Sequence, residues 1–368
     1  MNRAIKYRLY PIIEQEELFA KTFGCCRKIW NLMLNDKIEH YRATKEMLQT
    51  TPAQYKKQEE YKYLKEVDSL ALANVQLHLQ TAYKNFFRDK KTGFPKFKSA
   101  KHSRRTYTTN NQNGTVSIIG NSIRLPKVGI VKAKIHRQPD TDWVIKSATI
   151  SQDNDGKYYV SVLYEFEKTI NQVPVSDNVI GLDYKSDGLY ADSDGNVCGS
   201  PKYYRKSQKK LGKLQRHLSR KEKGSKNRNK ARLRVAKLQK HTANQRLDFL
   251  HKKSTEIANQ YDVVCVESLD MKNMSNKGFG NGKATLDNGY GLFLTMLEYK
   301  LADRGKYFVK VDKWYPSSQL CYACGKQHKE MKNLLARQFV CDCGYKNDRD
   351  TNASLNIKKE GLRLLTTV

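Results

Sequence analysis

Between positions 321 and 343 four cysteines fall in two close pairs, Cys321-Tyr322-Ala323-Cys324-Gly325 and Cys341-Asp342-Cys343-Gly344, with sixteen residues between Cys324 and Cys341. Four thiolates at this spacing can close a tetrahedral zinc site, and the glycine after each pair permits the tight turn that aims sulfurs and amides at one ion. The second pair is Cys-x-Cys, one residue shorter than the usual knuckle, so its turn must be tighter. A site closed by four sulfurs has no position for water, so the zinc predicted at Cys321, Cys324, Cys341 and Cys343 is structural and not a catalyst. Eight cysteines in 368 residues are too few for a disulfide scaffold, and half of them lie in this cluster. That distribution predicts a metal site in a reducing compartment. Cys25, Cys26, Cys198 and Cys265 read as small core or surface thiols.

Charge indicates the kind of partner. The chain carries 68 Lys+Arg against 37 Asp+Glu, a net charge of +31, and should seek polyanions. Its 39% hydrophobic residues are enough for a core, over a length of two or three domains. No run of about 18 apolar residues appears, and the opening MNRAIKYRLY lacks the apolar block of a secretory signal, so neither a membrane span nor export is expected. Residues 201–240 hold 17 Lys+Arg and one acid, Glu222, while Leu211, Leu214 and Leu218 keep helical spacing and Lys223-Gly224-Ser225-Lys226 reads as the turn of a helical hairpin. Like charges so clustered repel unless a polyanion screens them, so Lys202, Arg205, Lys209, Lys213, Arg216 and Arg220 are expected to meet a phosphate backbone.

Periodicity divides the rest. Phe19, Phe23, Cys26, Trp30 and Met33 form one helical face; Leu72, Val75, Leu79, Ala82 and Phe86 form another after Asp68, a predicted N-cap. Past Gly93 the pattern changes to short β-rich runs at 115–119, 123–125, 130–135, 144–151 and 158–166, with a hairpin turn at Asn154-Asp155-Gly156. These predict a small antiparallel sheet or barrel, with strand-like residues 1–10 pairing into it and the helices as an insertion. A boundary is expected near 171–177. Residues 276–291, with five glycines, read as a mobile loop, followed by a helix at 293–304 and a strand at 307–311.

Two apolar runs end in acids, Val179-Ile180-Gly181-Leu182-Asp183 and Val263-Val264-Cys265-Val266-Glu267, and Asp350 stands where a last helix begins. If the two strands are neighbours and that helix packs on them, three carboxylates meet at one edge. Such a cluster raises its own pKa values unless cations neutralise it. Two Mg²⁺ ions would do so and would supply in-line phosphodiester hydrolysis. The charge and the zinc module alone would suit a rival reading, a non-catalytic nucleic-acid-binding regulator.

In order along the chain stand Lys6-Tyr7-Arg8-Leu9-Tyr10-Pro11 with Gln15, Ala82-Tyr83-Lys84-Asn85-Phe86-Phe87, Gly93-Phe94-Pro95-Lys96-Phe97, Gly181-Leu182-Asp183, Val266-Glu267, Pro316-Ser317-Ser318-Gln319-Leu320-Cys321 and Asp348-Arg349-Asp350-Thr351-Asn352-Ala353. With these motifs the chain resembles the TnpB proteins, transposon-encoded RNA-guided nucleases related to the type V CRISPR effectors. The resemblance implies an α+β multidomain chain. A wedge β-barrel (1–10 and 104–171) would carry a helical recognition lobe (11–103). An RNase H-like (RuvC) α/β nuclease domain (172–318 and 346–368) would hold the basic helical hairpin (201–260) and an inserted zinc ribbon (319–345). It further implies an Asp183, Glu267, Asp350 triad with two catalytic Mg²⁺, one Zn²⁺, a transposon-derived guide RNA, and double-stranded target DNA cut beside a short motif. Thr109 and Asn110 match positions that read that motif. A monomer in complex with RNA is expected, in the cytoplasm and on the nucleoid of a prokaryote. Choosing Asp350 over Asp348 rests on the family pattern. Lys185 stands where the family commonly has glycine, which leaves either crowding of the metal site or a phosphate contact.

Overall fold

The computed structural model describes residues 1–89, 91–276, 282–333 and 336–367, in two units, Met1–Lys168 and Thr169–Val368. In the first, β1 (Asn2–Tyr10) buries Ile5, Tyr7 and Leu9 and exposes Ala4 and Lys6, the period of two that half-buries a strand. It lies at the centre of an antiparallel sheet ordered β2 (Arg105–Asn110), β6 (Val144–Gln152), β7 (Tyr158–Glu165), β1, β5 (Gly129–Lys134), β4 (Ser122–Leu125), β3 (Ser117–Ile119). Asn2 pairs with Glu165 and Leu9 with Tyr158 on one side, and Arg8 with Lys134 on the other, so the first ten residues do pair with later strands.

Inserted after β1 are α1 (Ile13–Thr44), α2 (Pro52–Lys56), a 3₁₀ stretch (Glu59–Lys65) and α3 (Ser69–Arg88). The Asp68 carboxylate accepts from the Leu70 N–H at 3.0 Å, capping α3 as predicted. The apolar faces of α1 and α3 do not build a separate lobe. Phe19 stacks on Tyr158 at 5.5 Å and Phe23 meets Tyr107 at 5.7 Å, so helices and sheet share one core. For the same reason the expected barrel is open, with β2 and β3 as its edges: α1 and α3 cover the face that a closed barrel would bury against itself.

The second unit is a five-stranded mixed sheet ordered β10 (Val197–Gly199), β9 (Gly188–Asp192), β8 (Val179–Tyr184), β11 (Val263–Glu267), β12 (Tyr307–Val311). β8, β9 and β10 form an antiparallel meander, whereas β11 and β12 run parallel to β8. Both faces of β8 and β11 are covered, which is why their sequences are apolar without alternation. On one face lie α5 (Lys226–Gln260), the long arm of a hairpin with α4 (Tyr203–Ser219), and α8 (Tyr290–Ala302), which follows α6 (Met271–Met274) and α7 (Gly282–Asn288). On the other lies α9 (Arg349–Thr366), which follows the two-stranded ribbon β13 (Gln338–Val340) and β14 (Lys346–Asp348).

The α9 contact is backbone on backbone. A methyl group on Gly181 would lie 2.1 Å from the Ser354 carbonyl oxygen and 2.7 Å from the Lys358 nitrogen. Across the same interface a methyl on Gly361 would lie 2.3 Å from the Cys265 sulfur. Gly181→Ala is therefore expected to destabilise the protein by about 1–3 kcal/mol or more, since it forces α9 off the sheet, and to lower the thermal unfolding midpoint of the full chain.

The glycine-rich stretch 276–291 is not the expected loop where it is described; residues 277–281 of it lie outside the described residues. α7 fills much of the remainder, with Ala284, Thr285, Asp287 and Asn288 buried. Among the described residues no helix is long and apolar enough to cross a membrane.

Candidate active site and metal centre

Parallel pairing of β8 with β11 aligns Leu182 with Val266, so Asp183 and Glu267, the next residues, leave the sheet side by side. α9, held flat by Gly181, brings Asp350 to the same edge. The three carboxylates line one cavity of about 430 Å³ together with Lys185, Ser317, Arg337 and Arg349. Burial, followed by the charges of Glu267 and Asp350, pushes the Asp183 carboxyl well above the ordinary carboxylate range; Arg349 and Lys185 pull it partly back. Burial also raises Glu267, against a hydrogen bond donated by the Ser317 hydroxyl at 3.0 Å. Lys185 donates to Asp350 in an ion pair whose two side chains are each about one-fifth exposed, 20% and 18%. Burial alone would lower the Lys185 ammonium, but its hydrogen bond and charge attraction to Asp350 outweigh that and hold it above its usual value.

This site is looser than a cage for one ion. Among the described residues, the one group of three or more candidate ligands within 4.8 Å of one another is the cysteine cluster, and the carboxylates do not close to that spacing. The donors are nevertheless all hard oxygens under mutual repulsion, a set that suits Mg²⁺.

Two arrangements at this edge lay beyond sequence reasoning. The Asp348 carboxylate accepts from the N–H groups of Asp350 and Thr351 at 2.9 and 3.3 Å and so caps α9, leaving Asp350 as the acid in the cavity. Buried Asn352 and Asn356 each donate to the Leu320 carbonyl, at 2.8 and 2.7 Å, and Asn356 also donates to that of Ser317 at 2.8 Å. The loop bearing Ser317 and the first cysteine pair is thus tied to the helix bearing Asp350. α7 braces the opposite wall: Asn288 donates to the Ser186 carbonyl at 2.9 Å, and the Asp287 carboxylate accepts from the Tyr204 and Arg205 N–H groups at 2.9 and 3.2 Å, capping α4. Arg349, buried, has an Nε without a hydrogen-bond partner. Hidden by the glycines around them, Asp287 and Asn288 gave no periodic signal.

The four sulfurs form a set that can hold one zinc ion. Cys321 and Cys343 lie 3.6 Å apart, as do Cys324 and Cys341, close to the roughly 3.8 Å edge that Zn–S bonds of about 2.3 Å imply for a tetrahedron. In the short knuckle the Gly344 N–H donates to the Cys341 carbonyl at 2.9 Å, and φ 88° at Gly344 turns the Tyr345 carbonyl back to accept from the Cys341 N–H at 2.9 Å; Gly325, at φ 77°, likewise turns the Lys326 carbonyl back to the Cys321 N–H. The Lys326 amide draws the Cys324 thiol down to about 7. His328, absent from the sequence-based set, is buried, with Nε2 3.2 Å from the Cys341 sulfur and Nδ1 2.9 Å from the Glu330 carboxylate.

Of the residues expected at nucleic acid, Lys202, Arg205, Lys209, Lys213, Arg216 and Arg220 are all exposed on the α4 side of the hairpin, whose turn is capped by Ser225. Thr109 requires a correction. It points into the core from β2, fully buried, and its hydroxyl is unavailable to a base edge. Asn110, one residue on and facing the other way, is half-buried, 3.4 Å from the Asn74 amide of α3.

A family model described as "Probable transposase" matches residues 161–278, and one described as "Cas12f1-like, TNB domain" matches 290–357. A third, "Helix-turn-helix domain", matches 1–46, where this chain forms β1 and α1. A protein of Streptomyces pristinaespiralis named "Putative RNA-guided DNA endonuclease" is 36% identical over 372 aligned positions, covering 98% of this chain and 90% of its own. The chain belongs to the TnpB family. A second relative, "Putative RNA-guided DNA endonuclease InsQ" of Escherichia coli K12, is 32% identical over 99% of this chain and 93% of its own. Among solved structures, a chain of the "Cryo-EM structure of the Cas12f1-sgRNA-target DNA complex" aligns over 97% of this chain and 98% of that one, with a TM-score of 0.61 at 13% identity, a likeness of fold. In this TnpB-family chain the transposase match contains Asp183 and Glu267, and the TNB match contains both cysteine pairs and Asp350.

Proposed function

We propose that this chain is an RNA-guided, Mg²⁺-dependent endonuclease of a transposable element that cuts double-stranded DNA next to a short motif. The observation that carries the reading is the convergence of Asp183, Glu267 and Asp350 on one cavity, in which burial, followed by the charges of the other two acids, already raises Asp183. The meander β8–β9–β10 continued by parallel β11 and β12, with carboxylates at the strand ends, supports an RNase H-like (RuvC) assignment. The relatives' names support the guide.

Asp183, Glu267 and Asp350 would hold the two ions. Bound Mg²⁺ would activate the attacking water and neutralise the leaving oxygen. The chain's own residues prepare that state. Ser317 fixes the Glu267 rotamer through its donated hydrogen bond. Lys185 balances Asp350, and it and Arg349 line the cavity as cations that a phosphate oxygen there would pair with. Cys321, Cys324, Cys341 and Cys343 would hold structural Zn²⁺ in the ribbon.

The test is to purify the full chain from cells that carry its flanking DNA and sequence the RNA that copurifies. One non-coding species ending in variable sequence is expected, and re-targeting that end should redirect cleavage of a matched duplex in Mg²⁺. Cleavage indifferent to the RNA, or none with any guide, sinks the proposal.

A second expectation concerns the hairpin. Changing Lys209, Lys213 and Arg216 together to Gln should weaken RNA binding and reduce the slope of log affinity against log salt by about 2–3, at roughly 0.7–0.9 per phosphate contact. An unchanged slope would make these side chains merely a solvated face.

A further inference from the structure

The first unit carries a surface for which the nuclease reading has no use. At the end of α3, Phe86 meets Phe87 at 5.2 Å and Phe94 at 5.3 Å, while Tyr83 meets Phe94 edge-on at 5.5 Å. These rings join a buried Tyr83 to side chains in solvent: Phe87 is 67% exposed and Phe94 43%. Phe97, three residues on, is 57% exposed. The segment that presents Phe94 and Phe97 is no loose loop. The Trp30 indole donates to the Lys96 carbonyl at 3.0 Å. Asn31 clasps Lys98 from both sides, donating to its carbonyl at 2.9 Å and accepting from its N–H at 2.8 Å. Lys98 in turn lays its ammonium 3.6 Å from the centre of the Trp30 ring. Backbone pinned at Lys96 and Lys98 to a long helix holds the exposed Phe94 and Phe97 in place.

Water-exposed phenylalanines held rigidly are unfavourable unless something covers them. Their surroundings decide what. Residues 82–105 contain nine Lys or Arg and one acid, Asp89, and Lys84, Arg88 and Lys96 are exposed beside the rings. A second copy of a chain of net charge +31 would bring like charge to this patch. A strand of unpaired nucleotides satisfies both features, because each base offers a π-face to a ring and each phosphate a charge to a lysine or arginine. A duplex does not, because its bases are already stacked inside.

We infer that Phe87, Phe94 and Phe97 form a stacking platform for single-stranded nucleic acid, flanked by Lys84, Arg88 and Lys96. The platform rests on the reading of this chain as a nucleic-acid-handling protein but not on its cleavage chemistry, and it does not involve the carboxylate cavity.

The experiment compares the full chain with a Phe87→Ala/Phe94→Ala/Phe97→Ala variant by fluorescence anisotropy at several salt concentrations. The probes are labelled oligouridine, labelled oligodeoxythymidine and a blunt DNA duplex of the same length. The variant should lose roughly tenfold to a hundredfold in affinity for single strands while its affinity for duplex stays within about twofold. The salt slope should hold, since no phosphate contact is removed. A selective loss on oligouridine assigns the platform to RNA, and a selective loss on oligodeoxythymidine to displaced DNA; either supports it. Unchanged single-strand affinity, or equal losses on single strand and duplex, overturns it. So does a change in self-association by sedimentation velocity with single-strand binding intact, which would make the patch a protein interface. The thermal unfolding midpoint of the variant should fall only slightly, through the lost ring contacts with Tyr83 and Phe86, because the three rings are largely exposed. Because oligonucleotide binding needs neither guide nor Mg²⁺, its outcome is independent of whether the chain cuts DNA.

Discussion

Replacing Asp183 by Asn should abolish cleavage, by roughly three orders of magnitude or more in rate, and should at the same time raise the melting temperature of the magnesium-free protein. Both effects come from one arrangement. Asp183 sits at the end of a buried strand with Glu267 beside it and Asp350 across from it, and burial and these two charges together hold its carboxyl well above the usual range. A carboxyl whose pKa is raised by folding binds its proton more tightly in the native than in the unfolded chain. Between the ordinary value of about 3.9 and the raised one, the native state therefore holds more protons, and stability falls as pH rises. Above the ordinary carboxylate range and without cations, Asp183 costs the fold free energy, as a carboxylate among like charges or through the proton it must take up, that a neutral amide in its place would not carry. The excess stability of Asp183→Asn should shrink as pH is lowered through the raised range, where the parent takes up its proton. Added Mg²⁺ should stabilise the parent more than the variant. Thermal melts at several pH values with and without Mg²⁺, alongside a cleavage assay and an RNA-binding assay, read all of this. A variant that melts lower than the parent, or that loses RNA binding together with cleavage, would make Asp183 a structural carboxylate and remove the basis for the catalytic assignment.

The parts of the molecule legible in its sequence are those where one local rule met no competitor. The Asp68 cap, the Phe19 to Met33 face of α1 and the Asn154-Asp155-Gly156 turn, in which Gly156 has φ 85°, follow from neighbours in the chain. So does the alignment of two apolar runs that each end in an acid, because strands buried on both faces must be apolar throughout. Asp348 and Asp350 could not be told apart in that way, since both stand at the start of a helix; the difference is that the Asp348 side chain is consumed by the cap. Thr109 misled for a related reason. Arg105–Asn110 is polar enough to read as a turn, yet as an edge strand it turns Tyr107 and Thr109 inward beneath α1 and α3. The buried Asp287 and Asn288 follow glycines that weigh against a helix, and only tertiary hydrogen bonds to α4 and to Ser186 give α7 its reason to form. His328 lay in a stretch with no periodicity at all.

Removal of zinc should be nearly as damaging to cleavage as loss of Asp183, although no cysteine lies in the carboxylate cavity. Among the described residues the ribbon's buried core is the small cluster of Cys321, Met331, Phe339 and Cys341, with Ala336 and Tyr345 packed on it, too little to hold it without the metal. Structural zinc supplies on the order of 10 kcal/mol or more to modules of this size. The ribbon is also hydrogen-bonded to α9, the helix that bears Asp350. The Tyr322 N–H donates to Asn352 at 3.2 Å, Asn352 and Asn356 hold the Leu320 carbonyl, and Arg349, beside Asp350, donates its N–H to the Arg337 carbonyl at 2.8 Å. Disordering the cysteine pairs would release these contacts, the Ser317 hydroxyl that orients Glu267, and the start of α9. The metal content should be one zinc per chain by mass spectrometry, and cobalt in its place should give the intense thiolate charge-transfer bands of a four-sulfur site. Cys321→Ser/Cys341→Ser should lose the metal, lower the melting temperature and reduce cleavage by roughly a hundredfold or more, with RNA binding through the α4–α5 hairpin largely retained. Stripping zinc with a chelator and restoring Mg²⁺ alone should leave the protein inactive, and subsequent zinc should recover it. Full cleavage by zinc-free protein in Mg²⁺ would mean that the ribbon is independent of the carboxylate edge, and that Asn352 and Asn356 hold α9 in place without it.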